Sequence, residues 1–207
     1  MRRLLFVRHG ESLANAASSL DCAVPGPGLT DLGRAQAAAL AEALAGADVR
    51  EVWASTMTRA QQTAAPLAAR LGLEVQVHPD LREADVGDLH PRSDDSAIWH
   101  WNTLYARWLA DAELDQRRPG GESASDVIAR YVPAVHKVAE GLAEGTAVIV
   151  THGAAVRLVL AGLCPEVSPQ FALEHHLDNT EVVEVEVLDG GRGPAYRCVS
   201  WAGRPPA

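Results

Sequence analysis

FVRHG at residues 6–10 and VIVTHG at 148–153 share one pattern: an apolar run leads straight into His and then Gly. A short apolar run stopped by a polar cluster reads as a buried strand. In an open α/β sheet, ligands bind outside the carboxyl ends of such strands. His9 and His152 therefore both belong on the binding edge, and their imidazoles converge if the two strands are neighbours. Gly10 and Gly153 permit a tight turn and a close approach of backbone N–H groups to a ligand, a setting suited to phosphate.

Outward from these corners, strands and helices alternate. Residues 3–7, 51–54, 73–77 and 147–151 read as strands. Residues 30–46, 57–71, 95–110, 122–143 and 154–163 read as helices. Thr30 is a candidate N-cap for the first of these helices, Ser55 or Thr56 for the second, and Ser123 with Asp126 for the fourth. Ala60, Ala64, Leu67 and Leu71 form an apolar stripe at helical spacing, with Pro66 inside it as a source of a kink or a missing bond. Residues 181–188 and 195–201 form a late hairpin around a Gly-rich turn. The alternation predicts an α/β fold: a three-layer sandwich with a mainly parallel central sheet, one antiparallel strand, and helices on both faces. Pro/Gly-rich stretches are short enough to be turns, so residues 1–207 are expected to form one domain.

The 207 residues carry 18 basic and 27 acidic side chains, a formal net charge of -9. Nucleic acid and anionic membrane both demand a basic face, so neither is expected as the main partner. Cys22, Cys164 and Cys198 form no CxxC pair, which argues against a disulfide framework or a zinc ribbon. The opening MRRLLFV is too short in its apolar part for a signal-peptide core or a membrane span, so a cytoplasmic location is expected. Lys137 is the only lysine. An isolated Arg therefore carries little weight without a local context. A GxSxG elbow, a Walker loop and HExxH are all missing from the chain, and the adjacent His175–His176 pair cannot place both rings on one helix face. No metal and no cofactor are expected.

RHGES at 8–12 with Asn15 resembles the signature of the histidine phosphatase superfamily, which includes the cofactor-dependent phosphoglycerate mutases. The resemblance continues in order through GLTDLGRAQA at 28–37, STMTRAQQTA at 55–64, LREADVGDL at 81–89, PGGES at 119–123, THG at 151–153 and DNTEVVEVEV at 178–187. It implies a phosphomonoester hydrolase that works through a phosphohistidine on His9, with Glu83 as proton donor and His152 as the second catalytic histidine. It implies phosphate contacts from Arg8, Arg59, His152, Asn15 and Gly153, and a small-molecule phosphate ester as the partner.

The residue chemistry agrees with these roles. A phosphate monoester carries negative charge that repels a nucleophile, so its oxygens must be neutralised while attack is aligned. Arg8 and Arg59 offer planar, permanently charged forks suited to phosphate. A neutral imidazole can attack phosphorus. Chemistry alone leaves Asp80, Asp85 and Asp88 beside Glu83 as candidate acids, and the resemblance selects Glu83. Asn15 and Ser12 can equally order the turn after His9.

Gly87 is followed by Asp88, Leu89 and His90, where the family often has an aromatic, acidic, Gly stretch. Residues 88–118 are the least family-like and are expected to form a lid over the site. Within them Trp101, Tyr105 and Trp108 fall at helical spacing, which suits a packing stripe or an apolar wall for the substrate. Arg92, Arg117 and Arg118 are candidate receivers of a second anionic group. The short chain and PGGES favour hydrolase over the alternative, a cofactor-dependent phosphoglycerate mutase. The further alternative is a non-catalytic phospho-ligand binding protein. The sequence carries no signal for oligomeric state.

Overall fold

The computed structural model describes residues 1–191 and 193–206. Its strands are β1 (Arg2–Arg8), β2 (Val49–Ser55), β3 (Val75–His78), β4 (Gly145–Thr151), β5 (Val182–Gly190) and β6 (Gly193–Trp201). The helices are α1 (Leu13–Ala16), α2 (Asp31–Leu44), α3 (Thr58–Leu71), α4 (Asp95–Ala110), α5 (Ala124–Gly141), α6 (Gly153–Leu163) and α7 (Pro169–Glu174). The sheet order is β3-β2-β4-β1-β5-β6. β1, β2, β3 and β4 are mutually parallel, and β5 pairs antiparallel with both β1 and β6. Five strands thus run one way and β5 alone runs the other, as the sequence led us to expect.

Side chains alternate across a strand, so each buried strand feeds two cores. Leu4, Phe6, Ala147 and Ile149 point to the larger one, packed under α4, α5, α6 and α7. Leu5, Val7, Val148 and Val150 point the other way, against Leu40 and Ala41 of α2 and Ala60, Ala64 and Leu67 of α3. This is why the strands at both His–Gly corners read as continuous apolar runs: both of their faces are covered. α3 runs through Pro66 without a break.

Caps mostly fall where the sequence places them. The Thr30 hydroxyl accepts the Gly33 N–H at 3.0 Å, and Ser123 and Asp126 form a reciprocal capping box. The cap of α3 is a correction. Its N-cap is Met57, with no side-chain bond, and neither Ser55 nor Thr56 caps the helix. Ser55 is the last residue of β2, and its hydroxyl is committed to His152 instead. Among the described residues, no helix is long and apolar enough to cross a membrane.

Candidate active site

β1 and β4 are neighbours with Arg8 opposite Thr151, so the residues that follow, His9 and His152, emerge side by side. The His9 N–H donates to the Thr151 carbonyl at 3.0 Å, tying the two corners together. The ring centroids lie 5.1 Å apart in an edge-on arrangement. β2 lies on the other side of β4, and the first turn of α3 after it delivers Arg59 to the same edge. The loop after β3 delivers Glu83. Arg8, His9, Asn15, Arg59, Glu83 and Gly153 all line one cavity of about 250 Å³, and His152 is buried beside it.

The hydrogen bonds assign the protons. His9 Nδ1 lies 2.7 Å from the Gly10 carbonyl, which can only accept, so Nδ1 carries the proton. Nε2 keeps its lone pair and accepts from Arg59 Nε at 3.0 Å. Burial, with Arg59 and Arg8 close by, holds the His9 imidazole well below the usual histidine pKa. Burial, Arg59 and His9 do the same for His152. Both rings are therefore neutral at ordinary pH. Two buried polar atoms at this edge have no partner, His152 Nδ1 and Arg59 Nη1. Buried polar groups are nearly always satisfied, so two unpartnered atoms at one sheet edge single it out as a candidate ligand site.

The Glu83 carboxylate accepts the N–H groups of Ala154 at 3.1 Å and Ala155 at 2.8 Å. The N-terminus of α6, expected from the glycine at 153 to face a phosphate, is thus occupied by Glu83. Gly10 also differs from expectation. A Cβ there would meet the Gly33 carbonyl oxygen at 2.7 Å, and one on Gly33 would meet the Glu11 carbonyl oxygen at 2.0 Å. These glycines let the loop after β1 pack against α2. The Gly10 N–H is spent on the Thr63 hydroxyl at 3.0 Å. Asn15 lies between the two readings given it: its carboxamide oxygen joins the Ser12 cap, and it also borders the cavity.

Competing acids and cations are otherwise engaged. Asp85 accepts from the Gly87 N–H at 2.9 Å and from the Cys22 thiol. Asp88 binds Arg118 through two bonds of 2.9 Å. Arg92 pairs with Asp94 and Arg117 with Asp126, so the three arginines offered for a second anion each have a carboxylate already. In α4, Tyr105 and Trp108 are core residues, and Trp101 and Asn102 border the cavity.

Several residues with a bearing on the site were not singled out from sequence. Arg130 of α5 binds Glu122 with two bonds of 2.8 Å and donates to the carbonyls of Asp80, Arg82 and Glu83. Glu122 also takes the Asp85 N–H at 3.0 Å. The glutamate of PGGES thus anchors, with Arg130, the backbone that carries Glu83. Arg157 borders the cavity one turn into α6, its guanidinium 4.7 Å from the centre of the Tyr105 ring. The Asn179 amide donates to the His9 carbonyl at 2.8 Å. PGGES and DNTE were visible as motifs, and their contacts were not.

The family model described as histidine phosphatase superfamily (branch 1) matches residues 4–199. A PE-PGRS family protein of Mycobacterium tuberculosis is 33% identical over 97% of this chain, which spans only 36% of that longer protein. A glucosyl-3-phosphoglycerate phosphatase of Mycolicibacterium vanbaalenii is 33% identical over 79% of this chain and 74% of its own length. A probable phosphoglycerate mutase of Yersinia pestis is 31% identical over 79% and 75%. The solved structure of a mycobacterial glucosyl-3-phosphoglycerate phosphatase with VO3 superposes with a TM-score of 0.81 at 28% identity, covering 97% of this chain and 99% of that one.

Proposed function

This chain belongs to the histidine phosphatase superfamily, and we propose that it hydrolyses a phosphomonoester through a phosphohistidine on His9, with Glu83 as proton donor. One observation supports the residue roles: His9 Nε2 holds a lone pair at the cavity, where Arg59 Nε meets it at 3.0 Å, and the buried Nδ1 of the neighbouring His152 ring lacks a partner.

The phosphoryl group sits between Arg8, Arg59 and His152, with the Asn15 amide and the backbone at Gly153 bordering it. These groups neutralise its oxygens before attack, so little reorganisation is needed as charge shifts. Arg59 Nε exchanges its bond to His9 Nε2 for one to a phosphoryl oxygen, which frees the lone pair. His9 Nε2 then forms a bond to phosphorus as the bond to the ester oxygen breaks, and Glu83 gives that oxygen its proton. The ring becomes cationic, and the Gly10 carbonyl opposite Nδ1–H supports it. Glu83, now a carboxylate, takes a proton from a water that attacks phosphorus. The N–P bond breaks, inorganic phosphate leaves, and His9 Nε2 recovers its lone pair.

Residues 88–118 act in this reading as the cover of a single domain, with Trp101 and Asn102 against the substrate's organic part. Three unpaired cysteines suit a reducing, cytoplasmic setting. A small ester is favoured over nucleic acid by the acidic balance of the chain. The mutase reading is favoured by the Yersinia relatives named as probable phosphoglycerate mutases.

Incubation with p-nitrophenyl phosphate and a chelator tests these points together. Steady phosphate release that His9→Ala abolishes is the expected result. Activity seen only with phosphoglycerate and a bisphosphate primer would turn the assignment to mutase. Loss of turnover in chelator would end the metal-independent reading.

A further inference from the structure

We infer that Ser55 is a positioning residue: its hydroxyl fixes the tautomer of His152, so that Nδ1–H faces the phosphoryl group. The inference rests on the phosphatase reading above for its catalytic consequence, and on geometry for the tautomer itself. Ser55 is fully buried at the end of β2. Its Oγ lies 2.8 Å from His152 Nε2 and accepts the Met57 N–H at 3.2 Å. It makes no other polar contact among the described residues.

A hydroxyl has one proton to give and two lone pairs. The Met57 N–H takes a lone pair. The proton then needs an acceptor, and His152 Nε2 is the one in reach. A neutral imidazole holds a single proton, so that proton resides on Nδ1. The reverse arrangement fails twice over. It leaves the Ser55 proton with no acceptor and gives the buried Nδ1 a bare lone pair.

The catalytic consequence follows. His152 Nδ1 and Arg59 Nη1 are both donors and both unpartnered. Arg59 already touches His9 Nε2 through Nε, and the His152 ring is its neighbour. Phosphorus bonded to His9 Nε2 brings its oxygens to Arg59 Nε and to the neighbouring His152 ring. With the other tautomer, a lone pair would face those oxygens and repel them. Ser55 thus acts through His152, which explains why a serine suited to capping α3 leaves that cap empty.

Nitrogen-15 NMR of histidine-labelled protein reads the tautomer directly, with the signals assigned by comparison with His152→Gln. A pyrrole-like Nδ1 and a pyridine-like Nε2 on His152 are expected. The opposite pattern overturns the inference, whatever the activity. In kinetics with p-nitrophenyl phosphate, Ser55→Ala should lower kcat about tenfold, the scale of losing an orienting partner. Ser55→Thr should recover most of it. In a His152→Ala background, Ser55→Ala should cost nothing more; an undiminished loss there also overturns the inference. If Ser55→Ala does not fold, the NMR measurement on the unaltered chain still decides. Absence of phosphatase turnover in the unaltered chain would sink the function and leave the tautomer result standing.

Discussion

The two His–Gly corners present the same local sequence at adjacent positions on one sheet edge, yet their hydrogen bonds are opposite in sense. At the first, His9 Nδ1 gives its proton to the Gly10 carbonyl, and the ring turns a lone pair toward the cavity. At the second, a hydroxyl from β2 takes the Nε2 lone pair of His152, and the ring turns a proton toward it. In the proposed mechanism one imidazole is the nucleophile and the other a donor. What separates them is the partner of the far nitrogen, a carbonyl that can only accept or a hydroxyl that is left to donate.

The comparison breaks most readily at His9. His9→Ala should lower turnover of p-nitrophenyl phosphate by roughly 10⁴-fold or more, as removal of a nucleophile does. Rapid quench should then trap no acid-labile, base-stable phosphoryl label. His152→Ala should cost roughly 10²–10³-fold, the scale of losing one donor to a developing oxyanion. It should still form the label. A label that survives His9→Ala and vanishes with His152→Ala would exchange the two roles.

The corners were legible in sequence because an apolar run ending in His–Gly is a local pattern, and a parallel α/β sheet brings strand ends to one edge. The sandwich followed from the strand–helix alternation, and the single reversed strand from the late hairpin. What sequence could not supply is which donor meets which acceptor across the fold. Ser55 read as a helix cap because caps are local, whereas its true partner lies 97 positions away. Glu122 and Arg130 escaped notice for the same reason: their work on the backbone of residues 80–85 is set by the packing of α5. The α6 N-terminus looked like an anion site, and it is one, but a side chain from another loop fills it.

That loop supplies the next prediction, which sharpens the contrast between residues that react and residues that position. Arg130 and Glu122 are both mostly buried, at 10% and 15% side-chain exposure. Removing Arg130 takes two bonds from Glu122, which Arg82 still holds at 2.6 Å, and leaves the carbonyls of Asp80, Arg82 and Glu83 without their donor. Arg130→Met should therefore cost about 1–3 kcal/mol in denaturant unfolding, the scale of leaving buried polar groups unpaired. Any protein that remains folded should lose kcat more than KM suffers, because Glu83 drifts while Arg8 and Arg59 keep their places. An unchanged midpoint would mean that the pair contributes nothing net.

Acid titration separates the corners from ordinary surface histidines. Both imidazoles have pKa values held below the usual range, chiefly by burial and by Arg59. The unfolded chain takes up their protons near pH 6.5, before the native protein does. Stability should therefore fall as pH drops through that value, and continue falling until the native rings are protonated. The acid limb of kcat/KM should lie below pH 6.5 for the same reason, since His9 attacks only when neutral. An acid limb at or above pH 6.5 would show that burial and the guanidiniums together do not hold His9 below the ordinary histidine range.

The smallest effect is expected at Arg118, and it tests whether site cations differ in kind from surface ones. Arg118 spends its fork on Asp88, outside the cavity lining. An exposed ion pair of this kind contributes little in water and is screened by salt. Arg118→Ala should change kcat/KM by about twofold or less, and its effect should shrink further at high ionic strength. Arg59→Ala should fail equally at every salt concentration, because its guanidinium is buried against the nucleophile and salt does not reach it. A large, substrate-dependent loss in Arg118→Ala would mean that Asp88 releases Arg118 to an incoming anion, and the cover of the site would then take part in choosing the substrate.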